Sequence, residues 1–234
     1  NAGKSSLFQH LSGKTVLVED QLFSTLETTV GRMEKSPRIL LADTIGFIDN
    51  IPNATLAAFK ATIAEAIDAD LTLILVDTSD PLDEVRRKLE TTRREVLERQ
   101  EHEPEALEEG RPPQVVLTKI DATTAEQQQA ASDLVVSHGF PTPVAVSSLT
   151  GEGVDELQRF IREQLFGAPV HVHVHPPSAA SPDATERIVS SVYDQGMVEV
   201  DERSEQGSAV LKVWITAACQ AQLQSRWGAR IDIK

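Results

Sequence analysis

Asn1-Ala2-Gly3-Lys4-Ser5-Ser6 sets a lysine and two hydroxyls directly after a glycine. This is the second half of a phosphate-binding loop, whose full pattern is Gly, four residues, Gly-Lys, then Ser or Thr. Gly3 lets the backbone approach a phosphate closely. The amides of Lys4, Ser5 and Ser6 would open a helix, whose positive end favours anions. Lys4 would reach the β- and γ-phosphates of a nucleotide, and Ser5 would ligate Mg²⁺. Alone the triplet is weak, because Gly-Lys-Ser also occurs on ordinary surface turns. The leading glycine of the pattern would precede Asn1, so the strand that launches the loop is expected upstream. On that ground the 234 residues by themselves are expected to fold poorly and to bind nucleotide weakly.

Three further segments add chemistry. Asp43-Thr44-Ile45-Gly46 ends a predicted strand. Asp43 there can hold the water shell of a metal, and Gly46 can offer its amide to a γ-phosphate and move when that phosphate leaves. The alternative is a tight turn. Thr118-Lys119-Ile120-Asp121 also follows a strand. The Asp121 carboxylate can accept two hydrogen bonds from guanine that adenine cannot supply, and a buried acceptor left unpaired costs energy. The Lys119 stem can cover the base. The alternative is a helix N-cap at Asp121. Val146-Ser147-Ser148-Leu149 follows a last strand, where backbone amides could brace the guanine carbonyl; by itself it is a turn with a hydroxyl cap. The four segments in this order, each at a strand end or helix start, form the pattern of a translation-factor-type GTPase.

The elements that must position these residues alternate. Strands are predicted at 29–35, 38–42, 71–76, 114–118 and 143–146, and helices at 4–12, 54–67, 82–100, 124–137 and 154–166. Short apolar runs separated by helices indicate a mostly parallel sheet covered on both faces, which is an α/β fold with α/β/α layers. Ligands of such sheets bind at the carboxyl ends of the strands. Glu-, Pro- and Gly-rich residues 101–113 are expected to form an exposed loop. The predicted organisation is a P-loop GTPase domain at 1–166, truncated at its start, a linker at 167–185, and a small α+β C-terminal domain at 186–234. In that tail, strands are expected at 186–192, 197–201 and 209–215, then a helix N-capped by Thr216 and running to Trp227.

Net charge is −14, from 36 acidic and 22 basic residues, and only 8 of the basic ones are Lys. The charge repels nucleic acid in general and argues against DNA as a partner. An acid-rich, Lys-poor surface also suits a saline cytoplasm, where the screening length shrinks to about 3 Å at 1 M salt. Docking on RNA through local contacts then stays open. No apolar run approaches the roughly 18 residues of a membrane span. The single Cys219 excludes an internal disulfide and fits a reducing, cytoplasmic setting.

The match narrows along the chain. Leu22-Phe23-Ser24-Thr25-Leu26-Glu27, Asp43-Thr44-Ile45-Gly46-Phe47-Ile48, Ile51-Pro52, Ala58-Phe59-Lys60-Ala61-Thr62, Glu65-Ala66 and Asp77-Thr78-Ser79-Asp80-Pro81 closely resemble the HflX family of GTPases. The likeness spans residues 1 to about 166, and the tail is similar to the small C-terminal domain some members carry. The resemblance implies GTP hydrolysis to GDP and phosphate, with GTP or GDP as ligand and Mg²⁺ as cofactor. It implies that Phe23 to Glu27 form the first switch, with Thr25 a Mg²⁺ ligand beside Ser5 and Asp43, and that Asp43 to Gly46 form the second. Lys4, Thr25 and Gly46 are the expected catalytic residues. The implied partner is the large ribosomal subunit, its RNA and protein, with the chain a monomer and no membrane involved. The family usually has Asn where this chain has Thr118, so guanine selectivity is expected to persist in weakened form.

Phe47 stands where many GTPases place a glutamine that orients the attacking water. Phe cannot do so, and the hydrolytic machinery must come from backbone groups, a partner or a cation. In related GTPases with Asn at the position of Asn1, a bound K⁺ supplies positive charge near the β–γ bridge, which makes Asn1 a candidate K⁺ ligand. Slow intrinsic turnover raised by the ribosome is the expectation.

Other features have plainer readings. His171, His173 and His175 would share one face of a strand, a metal comb in principle but more simply an ordinary strand. Arg86-Arg87-Lys88 and Arg93-Arg94 could touch RNA phosphates, yet acids interleave with them as on a solvated helix face. Trp214 and Trp227 are read as core of the tail. Competing classes are another GTPase acting in RNA modification or membrane targeting, an ATP-dependent phosphotransferase, and a nucleotide-blind binding module.

Overall fold

The computed structural model describes residues 2–13, 29–34, 37–43, 69–102, 112–175, 183–204 and 207–234. The expected helix at 54–67 lies outside them. Two units result, one holding residues up to Gly31 and Leu40–Ile161, the other Arg32–Ile39 and Arg162–Lys234.

The first unit begins with helix Lys4–Ser12 (α1), which buries Leu7, Phe8 and Leu11. Gly3 precedes it in a left-handed conformation, and a second left-handed glycine, Gly13, ends it by donating its N–H to the Gln9 carbonyl. Thr29–Glu34 (β1) and Ile39–Asp43 (β2) pair as two strands, of which Arg32–Glu34 and Ile39 count with the second unit. Leu73–Asp77 (β3), Gln114–Thr118 (β4) and Val144–Ala145 (β5) form a parallel sheet with β4 in the middle. Every residue of β4 is buried, as expected of a central parallel strand covered on both faces.

Helix Leu82–His102 (α2) packs Val85 and Leu89 one turn apart into the core with Ile74, Val76, Val115 and Leu117. Helix Ala125–Ser137 (α3) adds Ala131, Leu134 and Val135 to the same cluster. Each such Val or Leu contributes about 1.5–3 kcal/mol relative to exposure. Thr124 caps α3 through a capping box with Gln127, so the cap is not Asp121. On α2, Arg87 pairs with Glu84, and Lys88 with both Asp80 and Glu84, as on a solvated face. Helix Val154–Phe166 (α4) follows.

The second unit corrects two expectations. Residues 170–174, placed in the linker, form strand Val170–Val174 (β6), which lies between two neighbours in a sheet. Residues 186–192, expected as a strand, lie within helix Asp183–Gln195 (α5). β-branched Ile188, Val189 and Val192 suggested extended chain. With Thr185 they are buried at i, i+3, i+4 and i+7, which is helical spacing, and packing outweighs local propensity. Met197–Arg203 (β7), Ala209–Trp214 (β8), helix Ala217–Trp227 (α6) and Ile231–Ile233 (β9) complete the unit. Thr216 caps α6 from its side chain to the Cys219 N–H, as expected. Strand order β7-β8-β6-β9 in one sheet, with every pair antiparallel, is the βαββαβ arrangement of a split βαβ unit.

Within it, Trp214 is buried and donates its indole N–H to Glu199, and Trp227 packs against the core. His175 lies 2.8 Å from Asp232, and among the described residues no group of three or more His, Cys, Asp or Glu is placed to hold a metal. Among the described residues, no helix is long and apolar enough to cross a membrane.

Candidate nucleotide-binding site

Gly3 (φ 75°, ψ 19°) turns the chain into α1, so the amides of Lys4, Ser5 and Ser6 stand at the positive end of that helix. From its first turn the Lys4 ammonium pairs with Asp43 Oδ1, and the Ser5 hydroxyl lies 3.5 Å from Asp43 Oδ2. Asp43 ends β2 and is 4% exposed, a burial that a carboxylate tolerates only with such partners. The lysine and hydroxyl of the half motif are therefore joined to the acid read as the metal-side residue. A hydroxyl and a carboxylate oxygen together form the hard donor set that Mg²⁺ takes alongside water and phosphate, so these residues fit the ion.

Thr118 ends β4 and is 1% exposed. Its hydroxyl lies 2.9 Å from the Ala2 carbonyl and 3.3 Å from that of Val76, tying the loop to the sheet. Lys119 takes a left-handed conformation (φ 59°), and its ammonium sits 2.5 Å from Asp77 Oδ2. Asp121 follows in a 3-10 turn, Ile120–Ala122, and is exposed. Its carboxylate accepts a hydrogen bond from the Ser147 hydroxyl. Ser147 is fully buried and its Oγ accepts the N–H groups of Leu149 (3.2 Å) and Thr150 (3.0 Å). Ser148 is half-buried, and the Leu149 side chain stands 83% exposed. An open surface hollow of about 380 Å³ is lined by Ser6, Gln9, His10 and Gly13 from α1 and its end and by Ser148 of this last loop.

Asn1, Phe23, Ser24, Thr25, Leu26, Glu27, Thr44, Ile45, Gly46 and Phe47 lie outside the described residues. One partner was missed in the sequence as chemistry. Asp77 ends β3 opposite Thr118 in register. An acid at the carboxyl end of a parallel strand was the available signal. Burial pushes its carboxyl up, but hydrogen bonds from Lys119 and Ser79 outweigh this and hold it below its ordinary value.

Comparison with known proteins bears on this arrangement. Residues 1–119 match the family described as 50S ribosome-binding GTPase, and residues 135–233 match the HflX C-terminal domain. The chain belongs to the HflX family of GTPases. It is similar to GTPase HflX of Gluconacetobacter diazotrophicus, at 35% identity over 98% of this chain and 47% of that protein. GTPase HflX of Escherichia coli is 32% identical over 99% of this chain and 51% of its own length. The chain thus spans about half the length of these HflX relatives. Among solved structures, SsGBP in complex with GDP is similar at 26% identity and a TM-score of 0.51, covering 70% of this chain and 46% of that one. The S. thermophilus NFeoB protein bound to GMPPNP, at 23% identity and a TM-score of 0.51, covers 82% of this chain and 67% of its own, and shares the fold.

Proposed function

We propose that the protein is a guanine-nucleotide switch that binds GTP with Mg²⁺, hydrolyses it to GDP and phosphate, and acts on the large ribosomal subunit in the cytoplasm. The observation that carries this is the convergence of Lys4, Ser5 and Asp43 at the start of α1, with Thr118 linking that loop to the Asp121–Ser147 pair. One end suits phosphate and metal, the other the edge of a base. In this reading the amides of Lys4, Ser5 and Ser6 and the Lys4 ammonium bind phosphate oxygens, and Lys4 leaves Asp43 to do so. Ser5 and Asp43 would hold Mg²⁺, directly or through water, which would supply positive charge beside the phosphates. Asp121 reads the guanine edge while Ser147 keeps its carboxylate oriented. Thr25 and Gly46 serve as switch residues, and Asn1 as a K⁺ ligand that substitutes for the missing glutamine at Phe47. The family description as a 50S ribosome-binding GTPase supports the ribosomal partner.

Calorimetric titration with GDP, GTP and ATP in the presence of Mg²⁺ tests the reading. Guanine nucleotides should bind and ATP should not compete. Equal binding of ATP would favour a phosphotransferase, and no heat with any nucleotide would favour a binding module. Sedimentation with large subunits in the presence of a non-hydrolysable GTP analogue tests the partner, and identical pelleting with and without nucleotide would overturn the switch.

A further inference from the structure

Lys119 is the one non-glycine residue with positive φ among the described residues. That conformation is disfavoured for an L residue, and it persists where surrounding contacts over-determine it. Here the contacts come from the segment after β3. Asp77 is 6% exposed and both of its oxygens are engaged: Oδ1 accepts the Ser79 N–H (2.9 Å) and the Ser79 hydroxyl (2.6 Å), while Oδ2 faces the Lys119 ammonium. Next to it, the Thr78 N–H (3.1 Å) and hydroxyl (2.8 Å) both donate to the Thr118 carbonyl, and the Thr78 hydroxyl also meets that of Thr123 at 3.1 Å. Asp77-Thr78-Ser79 therefore grips Thr118-Lys119 from backbone to side-chain tip.

A lysine pinned at its ammonium presents its four-carbon stem as an apolar face, and the Lys119 side chain keeps 40% of its surface exposed. Without the pin, the stem would have to be ordered when a ligand arrives, and that ordering weakens binding. We propose that Asp77 is a positioning residue for guanine-nucleotide binding, whose buried carboxylate holds Lys119 so that its stem forms a preset platform for the base. This rests on the nucleotide reading above and adds to it a residue outside the four motifs.

The test uses the full chain and titrations with GDP and IDP, which lacks the exocyclic amine that Asp121 would read. Asp77→Asn should raise both dissociation constants by the same factor, on the order of 10-fold, because a platform contacts the ring and not its edge. Asp121→Ala should instead affect GDP more than IDP. In a Lys119→Met background, which keeps a stem but no ammonium, Asp77→Asn should change binding less than about twofold. Ser79→Ala removes only an anchor of the carboxylate and should weaken GDP binding about threefold, again only when Lys119 is present. An Asp77→Asn protein that binds GDP as wild type does would overturn the proposal. So would an equal loss with and without the Lys119 ammonium, which would mark a purely structural role. A wild-type protein that binds neither nucleotide would refute the nucleotide reading itself, and the platform with it.

Discussion

The Thr118 hydroxyl donates across 2.9 Å to the carbonyl of Ala2, so the strand that carries the base-reading segment holds the phosphate loop in place. The family resemblance leads to an expectation of asparagine here, and the threonine makes this bracing bond through a short side chain. Thr118→Val preserves shape and burial but leaves the Ala2 carbonyl without this donor. A net hydrogen bond contributes about 1 kcal/mol, so thermal denaturation should show a loss of roughly that size. GDP affinity should fall about fivefold by the same free energy. Thr118→Asn should retain the bond and stay near wild type in both measurements.

Gly153 stands beside the loop that holds Ser147. It has φ 73°, and a Cβ there would lie 2.0 Å from the Ala145 carbonyl oxygen. Backbone cannot yield as a flexible side-chain tip can. Gly153→Ala should therefore cost roughly 2–4 kcal/mol, combining left-handed strain with displacement of the β5 carbonyl. Urea unfolding would measure the loss. Because Val154 N–H and Ser147 N–H both bond within residues 147–154, GDP binding should weaken with it.

Much of the candidate site was legible because it sits at strand ends and helix starts, where chemistry and local structure share the same residues. Gly3, Lys4 and Ser5 open α1, Asp43 closes β2 and Thr118 closes β4, at or within a residue or so of the expected element ends. Asp77 escaped because its partner is brought beside it by parallel pairing with a strand about forty residues away. No local spacing encodes that. The tail was less legible for a related reason. The Val-His alternation of β6 was visible, but Gly and Pro on either side suggested a linker, and only pairing to β8 and β9 makes it a strand.

Asp77 also gives a pH signature. Burial alone would raise its carboxyl, yet hydrogen bonds from Lys119 and Ser79 hold it below its ordinary value near about 4. A carboxyl lowered on folding stabilises the native state above its unfolded value, and that stabilisation fades as pH falls through the folded value. The stability difference between wild type and Asp77→Asn should thus be constant from pH 7 to about 5 and shrink below about 4. Denaturant midpoints of both proteins across that range would check it. A difference that grows toward acid would mean that the carboxyl is not the stabilised group.

Ile188 and Val189 separate the helix from the strand that the residue types suggested. In a strand of a sheet covered on one face, as the alternating burial along β8 shows for this unit, neighbours point to opposite faces and only one of the two would be buried. In α5 both are, at 0% and 2% exposure, together with Val192 and against Leu211 and Leu223. Ile188→Ala should cost about 2–5 kcal/mol. Val189→Ala loses fewer methyl groups and should cost about 1–2 kcal/mol at the transfer value per buried carbon. Ser190→Ala, on the exposed side, should stay within about 0.5 kcal/mol. Denaturant unfolding of the three variants gives the comparison. A neutral Val189→Ala beside a costly Ile188→Ala would restore the extended reading. Two costly substitutions in sequence followed by a silent one fit a helix edge turned toward the sheet.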